Sequence, residues 1–247
     1  MKTNWIVMPV RNCMALTKTA IQSCLEQDIG DVQVVVMDNG STDGVLSYLR
    51  SVPQVQVVYA PPPMGVTAMW NEALEHLFGS GAEHVLVINN DVQLRSDTYR
   101  LLVQDGGSFV TSVGTSTDGA QFPGGTPTMA RRPHPDFSCF LIRREAWEKV
   151  GKFDERMVIY CQDLDYHLRL HRAGIDAYCL DIPFYHYASG TLKSAEEGDR
   201  ERILQQAQHD REQFKLKWGF EGGTDEYYQQ FKEPQVVAST ASLTTLL

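Results

Sequence analysis

The chain alternates short apolar runs with segments whose apolar residues recur at helical spacing. Trp5 to Val10 reads as a strand, "CMALTKTAIQSCLEQ" places Leu16, Ala20, Ile21, Cys24 and Leu25 on one helical face, and "VQVVVM" reads as a second strand. "VQVVYA" predicts a third strand, "GVTAMWNEALEHLF" a second helix with Val66, Met69, Ala73, Leu74 and Leu77 inward, and "HVLVIN" a fourth strand. Strands this uniformly apolar, alternating with helices, predict an α/β fold in which helices cover both faces of a mostly parallel sheet. Another helix and strand follow, Thr98 to Gln104 and Ser108 to Val113. Periodicity then fails from Gly114 to Pro135, where Gly, Pro, Ser and Thr accumulate. Irregular loops of that length in a compact domain are functional or disordered. Order resumes at "DFSCFLIRREAWEKVGKFDERM". "QDLDYHLRLHRAGID" predicts a helix with Leu164, Leu168 and His171 inward, closed by Gly174. "AYCLDIPFYHYASGT" predicts two short strands broken at Pro183, and Ala195 to Phe220 a charged amphipathic helix.

Composition narrows the class. With 247 residues, 43% of them hydrophobic, the chain can bury a substantial core, and we expect one domain over residues 1–232 with 233–247 as a flexible tail. A formal charge of −9 disfavours an extended phosphate backbone as partner, so an anionic ligand needs a local site. Five cysteines without CxxC spacing indicate neither a disulfide framework nor a zinc knuckle, and fit a reducing, cytoplasmic setting. No apolar run has the length of a membrane span, so membrane contact is expected to be peripheral at most.

In sheets of this kind ligands bind outside the carboxyl ends of the strands. The residues following each predicted strand are therefore the candidates: Pro9 to Asn12, Asp38 to Asp43, Ala60 to Gly65, and Asn89 to Asp91. The last group ends the most hydrophobic strand on two amides and one carboxylate.

Six segments, "VMPVRN", "VVVMDNGSTDG", "PPPMGVTAMWNEAL", "LVINNDVQL", "DFSCFLIRREAWEKVGKFDERMVIYCQDLDYHLRLHRAG" and "FYHYASGT", stand in the order found in family 2 inverting glycosyltransferases. The chain resembles their rhamnosyltransferase-like branch over roughly residues 5 to 191. The resemblance implies a GT-A fold, a single Rossmann-like domain. Residues 1–113 would bind the nucleotide sugar, 114–194 would form the acceptor and catalytic half, and 195–232 a helical extension. It implies Mn²⁺ or Mg²⁺ held by Asp91 and His186, hard cations suited to oxygen ligands and substrate phosphates. Asn89 and Asn90 complete the family's DxD position, with Asn89 toward the ribose or a metal-bound water. Pro9, Arg11 and Asn12 would line the nucleoside pocket, Asp38 would accept hydrogen bonds from the base or ribose, and Gly65 would let the backbone pass close to the ligand. Asn71 matches the family's near-constant Asn, and Lys193 is placed for the diphosphate. Arg11 and Trp70 depart from the family's usual residues, as does Gln162 at the first position of its acidic pair.

An inverting transfer needs a base opposite the leaving group, and the surviving acid of that pair, Asp163, is the candidate. At the amino end of a helix its charge is favoured and its basicity lowered. Asp165 is expected to pair with Arg169 at i+4 or to cap the helix, and is a weaker candidate beside the acceptor. Gly40, Ser41 and Asp43 read as turn and cap residues. His167 and His171 have HxxxH spacing but no zincin Glu, and read as core or surface histidines. Arg131, Arg132, His134 and Asp136 end the irregular loop, where an acceptor would dock. The donor expected first is a UDP-sugar and second dTDP-rhamnose. The acceptor hydroxyl belongs to a glycan or lipid-linked saccharide, a protein, or a hydroxylated base in DNA, and a homo-oligomer is left open. The competing readings are a nucleotidyltransferase and a catalytically silent binding protein of the same fold, which the amides Asn89 and Gln162 would fit.

Overall fold

The computed structural model describes residues 3–59, 64–115, 127–187 and 197–232. Within them the chain runs β1 (Asn4–Val10), α1 (Met14–Leu25), β2 (Val32–Asp38), α2 (Val45–Arg50), β3 (Val55–Tyr59), α3 (Val66–Gly79), β4 (His84–Ile88), β5 (Val92–Gln93) and α4 (Thr98–Asp105). It continues with β6 (Phe109–Thr115), β7 (Arg131–Arg132), β8 (Cys139–Arg143), α5 (Arg144–Val150), α6 (Gln162–Arg172), β9 (Ala177–His186), α7 (Glu197–Trp218) and α8 (Asp225–Gln229). The strands form one sheet in the order β3-β2-β1-β4-β8-β6-β9-β5, with β7 also paired to β9. β1 to β4 are mutually parallel, and β6 and β9 are parallel to each other. β8 is antiparallel to both β4 and β6.

Alternation along each strand builds two cores. Ile6, Met8, Val34, Val36, Leu86 and Ile88 face α1, α2 and α4 through Ala20, Ile21, Leu49 and Leu102. Val7, Val35, Met37, Val85 and Val87 face α3, α5 and α6 through Met69, Leu74, Ala146, Tyr166 and Leu170. Because both faces are covered, these strands read as unbroken apolar runs rather than alternating ones, and each fully buried large aliphatic contributes about 1.5–3 kcal/mol.

Two expectations need correcting. Residues 177–186 form one strand, not two. The register passes from Ser112↔Leu180 to Val113↔Pro183, so a bulge absorbs Asp181 and Ile182. Pro183, which has no N–H to give a ladder, sits where the pairing is already interrupted. Ser112 Oγ donates to the Ile182 carbonyl in the bulge. In α6, Tyr166 and Leu170 are the residues that face the sheet, whereas Leu168 packs outward with Met157, Phe214 and Tyr227. The helix is thus covered on two sides, by the sheet and by the α7 and α8 layer. No described helix is long and apolar enough to cross a membrane. The tail 233–247 lies outside the described residues.

Candidate active site

All the parallel strands end at one edge of the sheet, and the loops leaving that edge hold most of the candidate residues. Asp38, fully buried, ends β2. Its Oδ2 accepts the N–H groups of Gly40 (3.2 Å) and Ser41 (3.3 Å). Its Oδ1, and Oδ1 of neighbouring Asn39, are buried with no hydrogen-bond partner among the described residues. Buried acceptors in that state cost about 1–3 kcal/mol each, so the pair is suited to a ligand that brings donors. Asn12 and Cys13, at the end of β1, adopt left-handed backbone (φ 58° and 61°), an unfavourable state for residues with a Cβ. Neighbours hold it. Asn12 N donates to Ser41 Oγ at 2.8 Å, Thr42 N to Asn12 Oδ1 at 2.7 Å, and Met14 N to Asp43 Oδ2 at 2.7 Å. Asp43 Oδ1 also accepts the N–H of Val45, the first residue of α2. From below, the buried Asn90 Nδ2 donates to Thr17 Oγ1 (3.0 Å) and to the Asn12 carbonyl (3.4 Å). The Asn12 and Asn90 amides therefore brace the turn. Pro9 is buried in β1 opposite Met37, and Arg11 pairs with Asp199 of α7 at 3.4 Å.

Asp91 and His186 come together through the sheet. β5 and β9 pair antiparallel, Val92 opposite His186, and Tyr187 N donates to the Asp91 carbonyl at 2.9 Å. This places Asp91 Oδ1 3.4 Å from His186 Nε2, with both side chains largely buried. Ser138 Oγ lies 3.3 Å from the other ring nitrogen, Nδ1. Burial works against the imidazolium of His186, but the Asp91 hydrogen bond and the charges of Asp91 and Asp136 outweigh it and raise its pKa. Asn89 N donates to the Ser138 carbonyl at 3.0 Å, which joins the end of β4 to the segment entering β8. Asp136 pins that segment: its two oxygens accept N–H bonds from Gly114 (3.0 Å) and Ser138 (2.9 Å). Among the described residues no group of three His, Cys, Asp or Glu side chains converges to hold a metal. The Asp91 and His186 pair nevertheless fits one. Two cis ligands on an octahedral ion with bonds of about 2.1 Å lie about 3 Å apart, and a carboxylate plus an imidazole leaves positions for phosphate oxygens and water.

Asp163 sits in the first turn of α6, after Cys161, another residue in left-handed backbone (φ 63°). It lines a cavity of about 100 Å³ with His134, Phe137, Leu164 and Tyr228. Burial raises the Asp163 carboxyl above its ordinary pKa, the helix-start N–H groups of Leu164 and Asp163 pull it down, and Asp136 pushes it up again. The net direction is upward, so burial overrides the helix-end effect expected from the sequence. The loop that delivers Asp163 is fixed from outside the sheet. Asp210 of α7, fully buried, accepts the N–H groups of Ile159 and Tyr160, both at 2.8 Å, and Gln206 Nε2 at 2.7 Å. Nothing in the sequence marks Asp210, because an aspartate on a highly charged helix reads as solvated.

The remaining candidates take other places. Asn71 is buried and clasps the loop before α6: its Oδ1 accepts Phe153 N (2.8 Å), and its Nδ2 donates to the Phe153 carbonyl (2.9 Å) and Glu155 Oε1 (2.8 Å). Gly65 is crowded by this same loop, since a Cβ there would lie 2.5 Å from the Val158 carbonyl oxygen. Asp165 is fully buried and meets Lys217 Nζ (2.6 Å), Trp218 Nε1 (2.9 Å) and Arg169 Nη1 (3.4 Å), which includes the i+4 pair expected. Trp70 packs against Phe140 and Phe153. Arg131 lies over the Tyr178 ring and pairs with Asp105 at 3.3 Å, and Arg132 pairs with Asp181 at 2.8 Å. Arg131 therefore points toward the amino ends of β6 and β9, away from Asp163, while His134 reaches the Asp163 cavity. His167 is buried with Nδ1 2.8 Å from Tyr227 Oη and its ring stacked on Phe231, and burial lowers its pKa to about 3. Lys193 lies outside the described residues.

Residues 5–105 match the model of glycosyl transferase family 2. An N-acetylglucosaminyl-diphospho-decaprenol L-rhamnosyltransferase of Mycobacterium tuberculosis is 28% identical over 191 residues, covering 58% of this chain and 62% of that protein. An uncharacterized glycosyltransferase of Haemophilus influenzae is 26% identical over 96 residues, 37% of each chain. The chain thus spans less than two thirds of the length of these curated relatives. In fold it is similar to a mannosyltransferase of Pyrobaculum calidifontis, solved with GDP-Man and Mn²⁺, at a TM-score of 0.64, 19% identity and coverage of 92% of this chain and 67% of that one. It is also similar to residues 1–349 of S. aureus TarS, at a TM-score of 0.57, 16% identity and coverage of 94% and 78%. Residues 5–105 thus carry a match to glycosyl transferase family 2, and the fold, a sheet whose parallel strands end at the Asp38, Asp91 and His186 edge, is similar to these two solved structures over more than nine-tenths of the chain.

Proposed function

We propose that the protein transfers a sugar from a nucleotide-diphosphate sugar to an acceptor hydroxyl by a single displacement that inverts the anomeric centre. The observation that carries this reading is the 3.4 Å juxtaposition of Asp91 and His186 at the strand-end edge that also holds the buried, unpartnered Asp38 Oδ1. Asp38 and Asn39 receive donor groups of the nucleoside. Asp91 and His186 would hold Mn²⁺ or Mg²⁺, whose charge offsets that developing on the departing diphosphate. Asp163, on a separate element and beside its own cavity, takes the proton of the attacking hydroxyl. A base whose pKa burial has raised is a better proton acceptor once ionised, in keeping with that role. The Mn²⁺ and GDP-Man of the Pyrobaculum structure, and the UDP-GlcNAc of a TarS structure, support a metal-assisted nucleotide-sugar donor. UDP-sugars are the first donors to try and dTDP-rhamnose the second.

Thermal melting with UDP, dTDP, GDP and CDP, each with and without Mn²⁺, tests the site. A ligand at a hundred times its Kd stabilises by about 2.7 kcal/mol, a rise of about 5–10 °C for a domain of this size. One nucleotide should produce that rise only with Mn²⁺, and Asp91→Ala should abolish it. No rise with any nucleotide sinks the reading. A nucleotide-dependent rise in a protein that neither transfers nor hydrolyses its donor would identify the silent binding protein instead.

A further inference from the structure

We infer that α8 completes the acceptor side of the site, and that Tyr228 with His134 forms an aromatic corner receiving a neutral pyranose ring of a saccharide acceptor. The inference rests on the proposed role of Asp163 as base, because it is the cavity beside Asp163 that the corner borders. α8 lies well beyond the residues that match the family model, and no motif in its sequence points to a site role. Its position is nonetheless fixed: Tyr227 is buried against Phe214 and held to His167 at 2.8 Å, which leaves Tyr228, next in the chain, 37% exposed at the cavity. The His134 ring stands 4.8 Å from that of Tyr228 at 61°.

Three features of the lining select the ligand. Phe137, Leu164 and the Tyr228 ring provide apolar surface, while Asp163 provides one hydrogen-bonding carboxylate, so the occupant has an apolar face and a hydroxyl edge. Among the described residues the lining contains no Lys or Arg, which favours an uncharged part of the acceptor over a phosphate or carboxylate. The steeply inclined rings make a corner rather than a parallel slot. A corner fits the C–H faces of a chair-shaped ring, whereas a planar base stacks best between parallel rings. At about 100 Å³ the cavity suits the terminal ring of an acceptor rather than several.

Saturation-transfer NMR on the full chain tests this, with methyl β-D-glucopyranoside, methyl N-acetyl-β-D-glucosaminide, methyl α-L-rhamnopyranoside and thymidine as probes. At least one pyranoside should receive saturation, the signal should fall five-fold or more in Tyr228→Ala and in His134→Ala, and Tyr228→Phe should retain it. Nucleotide-induced stabilisation should be unchanged in all three variants, which also shows that they fold. No pyranoside signal, a signal indifferent to Tyr228→Ala, or a signal from thymidine alone would each overturn the inference. Loss of the nucleotide response in the unmodified protein would overturn the donor reading by itself, since pyranoside binding is measured without nucleotide.

Discussion

At the scale of single residues, Asp91 is a buried carboxylate and Asp163 a half-buried one, and their surroundings set them apart. Asp91 faces His186, whereas Asp163 faces a cavity and is held above its ordinary pKa by burial. A raised folded pKa means that folding favours the protonated form of Asp163. The stability linked to this group is complete below the unfolded value of about 3.9 and is lost as pH rises through the higher folded value. Asp163→Asn should therefore raise the melting temperature at pH 7, with the gain vanishing near pH 3, while lowering kcat by about 10²–10⁴ without weakening nucleotide binding. In the unmodified enzyme, kcat should fall on the acid side as Asp163 takes up a proton. Asp163 drew attention in the sequence because "YCQDLDYHLRL" stands in register with five other segments, and the structure sets it beside a cavity. Asp210 and Tyr228 were not, since their roles depend on which neighbours a distant helix meets, and no local pattern encodes that.

At the scale of elements, the loop before α6 is the piece that positions the proposed base, and α3 holds it by two devices. Asn71 makes three hydrogen bonds to it, and Gly65, just before α3, allows Val158 to approach. Asn71→Ala leaves the Phe153 N–H and carbonyl buried without that partner, and should cost about 2–4 kcal/mol, read as a shift in the urea midpoint with an unchanged slope. Gly65→Ala should cost about 1–3 kcal/mol by forcing a Cβ against Val158 backbone, and should lower kcat more than it weakens nucleotide affinity, as titration calorimetry and steady-state rates would show. The parallel strands and the helices α1 and α3 were legible because their periods are unmixed, whereas α6 was legible as a helix but not in its inward face, being covered on two sides. β9 was not, because a proline inside an apolar run argues for a break unless the partner strand is known to bulge there. The two-residue strands β5 and β7 are too short to leave a period, yet β5 is what brings Asp91 to His186.

At the scale of the molecule, the fold is a sheet with two helical layers plus a third, made by α7 and α8, that packs on α6. Asp165 joins this outer layer to the rest through Lys217 and Trp218. Lys217 keeps its 2.7 Å contact with Asp154, so Asp165→Asn should cost about 1–3 kcal/mol by weakening the bonds to Lys217, Trp218 and Arg169, and lower the melting temperature by about 5 °C. Two aspartates two positions apart in the chain are thus expected to shift stability in opposite directions when neutralised. The outer layer also spans the site. Asp199 meets Arg11 at the end of β1, and Asp210 grips the loop that carries Asp163. Three turns of α7, about 16 Å, separate them. This gives the protein an order of assembly. Every described strand of the sheet ends by residue 186, while both braces come later in the chain, so during synthesis the strands emerge before the braces do. The same order runs backward in the finished protein. Fraying of α7 alone should leave the two sheet cores folded and release Asp210 from the loop that carries Asp163, so activity should be lost before the sheet melts.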